Sequence, residues 1–589
     1  MGQTPECRSS RSGVLRAIAF AGVIACAAPV ARAQAPSCAW GDGVTLPISG
    51  DLGLLLASDG GAGVLAFTWP WESASPGVLR MFHVLEQGVL DPTLPSGGTP
   101  VLSSADFDGQ NQLYALRAVP DGSGGIYLLT NVCDALTPHV RCWELSQIRL
   151  QHVTAQGAPA PGWPALGYGI PYLRHPYPLE TVDIVPDGAG GIIAAWLDGT
   201  VFNGTAPLMA QRFAADGTTL WAGGLSGLNV LTSTFAHVTL RIAGDGAGGI
   251  VAVASRLVSA TSTRTELVAC KVDPSGALSW GTSDKPVLLQ QPTYSAAIEG
   301  VSVDAQGRSF VSAIQSPVST GSAQFFTQSL TALGSRAWGT SGVAIGPCGG
   351  GTSAQLFLPT GFASLHADLS GVLKLQIQDE TSAPLLGPDP DGMAMDWASP
   401  WASQFPLVTE EGHLIMLWAN GSTPDPPDAR ALELDEWANL APGWPPTGMQ
   451  VCGGIGGHEF GSAFVAAGAL FVGFSTNGFY GTMPRVQRLT RAVLAVDPVL
   501  PARSLELSPA PNPARGAWLA RVALREASAV SLEAFDIAGR RVLSADLGVL
   551  PAGRHALEVP GAVALAPGVY RIRARAGVNT AEKVLVKVR

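Results

Sequence analysis

Eight times in this chain a turn built on glycine, most often Asp-Gly-x-Gly-Gly, falls between two short apolar runs, with roughly 58 residues from one copy to the next. The clearest copies are Asp59-Gly60-Gly61-Ala62-Gly63, Asp121-Gly122-Ser123-Gly124-Gly125, Asp187-Gly188-Ala189-Gly190-Gly191 and Asp245-Gly246-Ala247-Gly248-Gly249. Weaker ones stand at Asp304-Ala305-Gln306-Gly307, around Gly361, at Glu411-Gly412 and at Gly468. Gly reaches φ > 0 without steric cost and an Asp carboxylate accepts hydrogen bonds from N–H groups just downstream, so the motif predicts tight hairpins. As calcium sites the turns would be poor, because each offers one carboxylate where several are needed.

Each repeat adds two further elements. One is an aromatic-glycine step, as at Trp40-Gly41, Trp221-Ala222-Gly223, Trp280-Gly281 and Trp338-Gly339, with Pro-Gly-Trp-Pro variants at 161–164 and 442–445. The other is an alternating strand such as Leu208-Met209-Ala210-Gln211-Arg212-Phe213, matched by 267–272, 325–330 and 486–489. Together these make about four strands per repeat, the content of one propeller blade. With 71 Gly, 45 Pro and only 14% charged residues, an all-β chain is the economical reading. We expect a β-propeller of eight blades, with seven as the alternative count because the copies near Gly361 and Gly468 are degenerate. The body opens at the aromatic-glycine step near Trp40 and stops after the strand near Arg488, so the two ends should complete one blade together and leave no open sheet edge. The run Asp216-Gly217-Thr218-Thr219-Leu220-Trp221 faintly resembles the Asp boxes of sialidase-type propellers, with a different glycine spacing.

The N-terminus carries Arg8, Arg11 and Arg16, an apolar stretch over 17–30 and then Ala31-Arg32-Ala33, which predicts a signal peptide over 1–33 cleaved between Ala33 and Gln34. A lipoprotein-type signal ending at Cys26 is the competing reading. No later stretch reaches the ~20 apolar residues of a membrane-spanning helix. Over 34–501 the chain holds 18 Lys plus Arg against 37 Asp plus Glu, a net of −19, and over 502–589 it holds 13 against 7, a net of +6. An acidic body argues against nucleic acid as a partner, since that affinity rests on cationic side chains neutralising phosphates. Of the six cysteines after the signal, Cys133 and Cys142 flank a short segment and form our expected disulfide; half a zinc site is the rival reading, and no second Cys or His pair at ligand spacing supports it.

Pro501 to Pro513 reads as a Pro-rich linker, after which six or seven short strands over 514–589 suggest an immunoglobulin-like sandwich. In this region Pro509-Ala510-Pro511-Asn512-Pro513, Asp536-Ile537-Ala538-Gly539-Arg540, Leu565-Ala566-Pro567-Gly568-Val569-Tyr570 and the final Lys583-Val584-Leu585-Val586-Lys587 carry a resemblance. The tail resembles the type A sorting domain of the type IX secretion pathway and is similar to the immunoglobulin-like module of flagellar hook-capping proteins. The resemblance implies a secretion-machinery partner and a place outside the cell or on the outer-membrane surface, with Gly539, Gly568, Tyr570, Lys583 and Lys587 belonging to the signal. A purely structural cap is the alternative.

Catalytic signatures are missing from the sequence: there is no His-Glu-x-x-His, no Cys/His metal cluster and no Gly-x-Ser-x-Gly elbow, and nothing calls for a cofactor. His458-Glu459 reads as a solvated pair in a loop. Two aromatic insertions stand outside the strand pattern, one with Tyr168, Tyr172 and Tyr177 and one with Trp397 and Trp401, and aromatic loops stack on sugars or contact protein. The expected function is a non-catalytic propeller that binds a glycan, peptide or matrix component. The alternative is a carbohydrate-active or other hydrolase, which would need perturbed carboxylates and Arg side chains gathered at the channel.

Overall fold

The computed structural model describes residues 36–588 apart from the longer segments 71–76, 134–146, 172–180, 199–205, 379–392, 395–403, 421–427 and 491–504 and shorter stretches of one to five residues. The strands up to residue 490 form eight antiparallel sheets of at least four strands each, and seven of the eight are contiguous in sequence. The first blade joins Leu52–Ser58, Val64–Pro70, Val78–Val84 and Thr99–Ser103 in that order, and the others repeat the pattern. The first strand of each blade touches the first strand of the next, all the way round to the contact between Gly457–Ala466 and Leu52–Ser58. The ring therefore closes with eight blades, and seven is set aside. The degenerate copies belong to true blades: Gly361 opens the strand Gly361–Ala367, and Ala467-Gly468 is the turn between Gly457–Ala466 and Ala469–Gly478.

Closure uses both ends of the body, as the repeat phase predicted. Ser37–Cys38 pairs with Thr490 and Leu489, and Val44–Thr45 with Val486 and Arg485, so the N-terminal segment is the outer strand of the eighth blade. Inside each blade the second strand lies between sheets on both faces. That is why Ile192–Leu197 is buried at every position and reads as an unbroken apolar run instead of an alternating one.

Seven strands follow the ring. Leu505–Ala510, Leu519–Leu524 and Gly553–Glu558 make one sheet; Arg541–Leu550, Ser528–Phe535, Gly568–Ala576 and Asn579–Lys587 make the other. Trp518, Leu532, Ile572 and Leu585 fill the space between them. The linker expected over 501–513 is corrected here, because Leu505–Ala510 is a strand with Leu505 and Leu507 buried. Its Pro509 is tolerated because the strand lies at a sheet edge.

Candidate functional site

The alternation of strand directions puts the first-to-second and third-to-fourth strand turns of every blade on one face of the ring. The other connections lie on the opposite face. On the tight-turn face, Asp187 Oδ1 accepts the N–H groups of Ala189 and Gly191, both at 2.7 Å, while its Oδ2 takes Arg212 Nε and Nη2 at 2.9 Å. The same carboxylate in the first two blades accepts its turn N–H groups and meets a ring nitrogen from the third strand, Asp59 with His83 at 3.1 Å and Asp121 with His152 at 2.9 Å. In the seventh blade the charges trade places, with His413 beside the turn and Glu433 on the third strand, 2.7 Å apart. The motif's two outer glycines do different work. Gly188 has φ +77°, and a Cβ on Gly191 would lie 2.3 Å from the Phe213 carbonyl of the third strand. With both oxygens of these carboxylates engaged, turn chemistry accounts for the motif, and the described residues hold no cluster of metal ligands.

Two further devices on this face were not anticipated. Buried Gln211 clamps the aromatic-glycine step: its Oε1 accepts the N–H of Trp221 at 2.9 Å, and its Nε2 donates to the carbonyls of Trp221 and Gly224. Gln328 does the same for Trp338, and Gln487 holds Trp40 and Gly41 across the two ends of the body. The indole N–H then donates to the turn of the next blade: Trp40 to Glu86 O at 3.0 Å, Trp163 to Ala215 O at 2.8 Å, Trp221 to Pro274 O at 3.1 Å and Trp280 to Ala332 O at 2.8 Å. The ten-residue spacing from Gln211 to Trp221 and from Gln328 to Trp338 was the available signal. The backbone acceptors carry none.

At the channel, the residues four before the turn Asp are Arg117, Asp183 and Arg241 in consecutive blades. Asp183 is buried, and it joins all three blades: Oδ1 meets Arg117 Nε at 3.2 Å and Oδ2 accepts the Ile242 N–H at 3.4 Å. It is an inter-blade clamp with both oxygens engaged by fixed partners. At the start of the first strand of the fourth blade, His237 is buried with Nδ1 donating to Ala206 O at 2.7 Å, and burial depresses its pKa.

The opposite face receives the long connections. Tyr168 begins the outer strand Tyr168–Ile170 of the second blade, where its ring packs on Trp163 and Phe213 and its hydroxyl donates to Gly217 O at 3.2 Å, so Tyr168 serves the blade core and is not a loop residue. Tyr172, Tyr177, Trp397, Trp401, Cys142, Ala33 and Gln34 lie outside the described residues, and Cys133 ends the strand Ile126–Cys133. The segments with the four aromatics run from an outer strand to the next inner strand, and Cys142 falls in the second-to-third strand connection that follows Cys133. All therefore start and end at this same face.

In the sandwich, Gly539 has φ +76° in a turn where Asp536 Oδ1 accepts the Ala538 and Arg540 N–H groups at 2.9 and 3.0 Å, the propeller's own turn device. Tyr570 is buried and its hydroxyl donates to Ala566 O at 2.6 Å, next to Gly568 at the start of its strand. Lys583 is exposed. Lys587 is buried, with Nζ donating to the carbonyls of Ala562 and Val563 at 2.7 and 2.9 Å.

No family model and no curated protein matches the chain. Among solved structures it is similar to Trypanosoma rangeli sialidase in complex with the inhibitor DANA, at 10% identity over 69% of this chain and 84% of that one, with a TM-score of 0.30. It is similar also to the SapL1 lectin in complex with alpha methyl fucoside, at 11% identity over 52% and 94% with a TM-score of 0.29. A prolyl endopeptidase matches at 11% identity and a TM-score of 0.36, and the match spans 74% of this chain and 55% of that one. Likeness at this level carries no argument about a site; the propeller rests on the strand pairing.

Proposed function

We propose that this is an exported, non-catalytic propeller protein that binds an extracellular glycan, peptide or matrix component through the face carrying the long connections, with the C-terminal sandwich as its sorting domain. The observation that carries this reading is the division of labour between the faces. On the tight-turn face the turn carboxylates Asp59, Asp121 and Asp187, the clamping glutamines and the four bonded indoles are engaged in holding turns and neighbouring blades, and the aromatic insertions begin and end on the other face. The engaged Asp183 weighs against a channel hydrolase. The resemblance of the tail supports export, and mass spectrometry of the native termini tests it: a start at Gln34 with loss of the tail is expected, and an intact tail held in the periplasm overturns the sorting role. For binding, glycan and peptide arrays probed with the full chain should give hits that disappear when Tyr172, Tyr177, Trp397 and Trp401 are all replaced by Ala. Hits that survive that replacement, or turnover of a bound glycan, overturn the reading.

A further inference from the structure

The outer face of the sandwich's four-stranded sheet carries four arginines, paired with Glu533 and Glu582 and largely open to solvent. Arg571, Arg573 and Arg575 alternate along Gly568–Ala576 and so point to one side, and Arg541 from the edge strand lies across from Phe535 in the same sheet. The Arg571 and Arg573 guanidiniums stand 5.4 and 5.0 Å from the Phe535 ring centroid. Of the carboxylates on this face, Glu533 is 15% exposed against 59%, 51% and 52% for Arg541, Arg571 and Arg575, while Glu582 at 36% and Asp546, across from Ser531 beside Arg575, are exposed. Val569 and Val584 add exposed apolar surface beside the arginines.

The chain itself supplies a complementary surface. Thr490, the last described residue of the ring, ends a third strand and therefore leaves from the tight-turn face. That face presents Asp42 and Asp216 exposed, Glu86 exposed with its Oε1 3.8 Å from Arg488 Nη2, and Asp273 half-buried. Hydrogen bonds from the Thr218 N–H and from the Ser275 hydroxyl hold Asp216 and Asp273 below the usual carboxylate range, so both stay charged in mildly acidic solution. The connecting segment 491–504 spans at most about 50 Å fully extended. A tether of that length keeps the two surfaces at an effective concentration in the millimolar range, which favours an intramolecular encounter.

We propose that, while the tail is still attached, the arginine face of the sandwich docks on the acidic tight-turn face of the propeller in the same chain, leaving the face with the long connections uncovered. Exposed ion pairs of this kind are screened over about 10 Å at 0.1 M salt, so the docked state must open as salt rises. Small-angle scattering of the full chain reads this out. The maximum dimension should be smallest at 20 mM NaCl and grow at 500 mM, and Arg541→Glu, Arg571→Glu and Arg575→Glu together should give the larger value at both. A charge reversal on the propeller side, Glu86→Lys with Asp42→Lys, should do the same without touching the sandwich, with circular dichroism confirming the fold of each variant. A dimension independent of salt and of both charge reversals overturns the proposal. So does compaction that appears only as concentration rises with a doubled mass by light scattering, which would make a second copy the partner.

Discussion

At the scale of single residues, the chain spends its rare polar side chains on holding backbone in place. Gln211 is fully buried and satisfies two N–H groups and two carbonyls at once, so Gln211→Ala leaves several buried groups without partners. Each such group costs roughly 1–3 kcal/mol, and we expect a loss of about 3 kcal/mol in urea unfolding, with Gln211→Leu no better because its shape is kept while the bonds are lost. His237 offers a different test. Its Nδ1 must donate to the Ala206 carbonyl, and its buried Nε2 has no protein partner, so an added proton there would be both desolvated and close to Arg256. Because the folded pKa lies below the unfolded value of about 6.5, the unfolded chain takes up the proton first, and stability present above that pH is lost as pH falls through it towards the folded pKa. Urea midpoints between pH 7.5 and pH 5 should therefore slope downward, and His237→Gln should flatten the slope; an unchanged slope would assign the loss to other groups.

At the scale of elements, the hairpins were legible in the sequence because their cause is local. A glycine at φ +77° and a carboxylate two residues from the N–H it accepts are both written in five consecutive letters. The same turn recurs in the sandwich at Asp536, where it was read only as part of a sorting signature. What remained hidden depends on partners distant in the chain. The strand Leu505–Ala510 was masked by its prolines although Leu505 and Leu507 already alternate, and the indole-to-carbonyl bonds between blades end on backbone atoms that any residue would supply. The Asp turns differ in what they hold, and this gives an ordering. Asp187 is buried with a largely covered Arg212, so Asp187→Ala strands a guanidinium and should cost about 3–5 kcal/mol. Asp245 in the next blade also accepts two turn N–H groups but is less buried, so Asp245→Ala should cost about 1 kcal/mol. Differential scanning calorimetry of the two variants side by side checks the order, and equal effects would mean that the ion pair adds nothing to the turn.

At the scale of the whole molecule, the propeller is a circle made from a line, and its integrity rests on a seam joining residues more than four hundred positions apart. The phase of the repeat disclosed that seam, since one end lacked what the other possessed. The face proposed to bind ligand was legible only as insertions of unusual composition, because its chemistry belongs to connections that no repeat dictates. At the seam, Ser37–Cys38 and Val44–Thr45 cover a third strand in which Val486 and Leu489 are fully buried, and Gln487 grips Trp40 and Gly41 exactly where its counterparts grip their own blades. Removing residues 34–46 should expose that strand as an open edge with two buried aliphatic side chains brought to water, and such edges pair with other chains. The truncated protein is expected to form oligomers in size-exclusion chromatography and to unfold at a lower temperature with a broadened transition. Supplying a synthetic peptide of residues 35–48 in excess should restore the monomer, because the peptide can re-enter the vacated position with the same register. A truncated protein that stays monomeric and unfolds at the original temperature would mean that the eighth blade holds with three strands and that the closing strand contributes little to the ring.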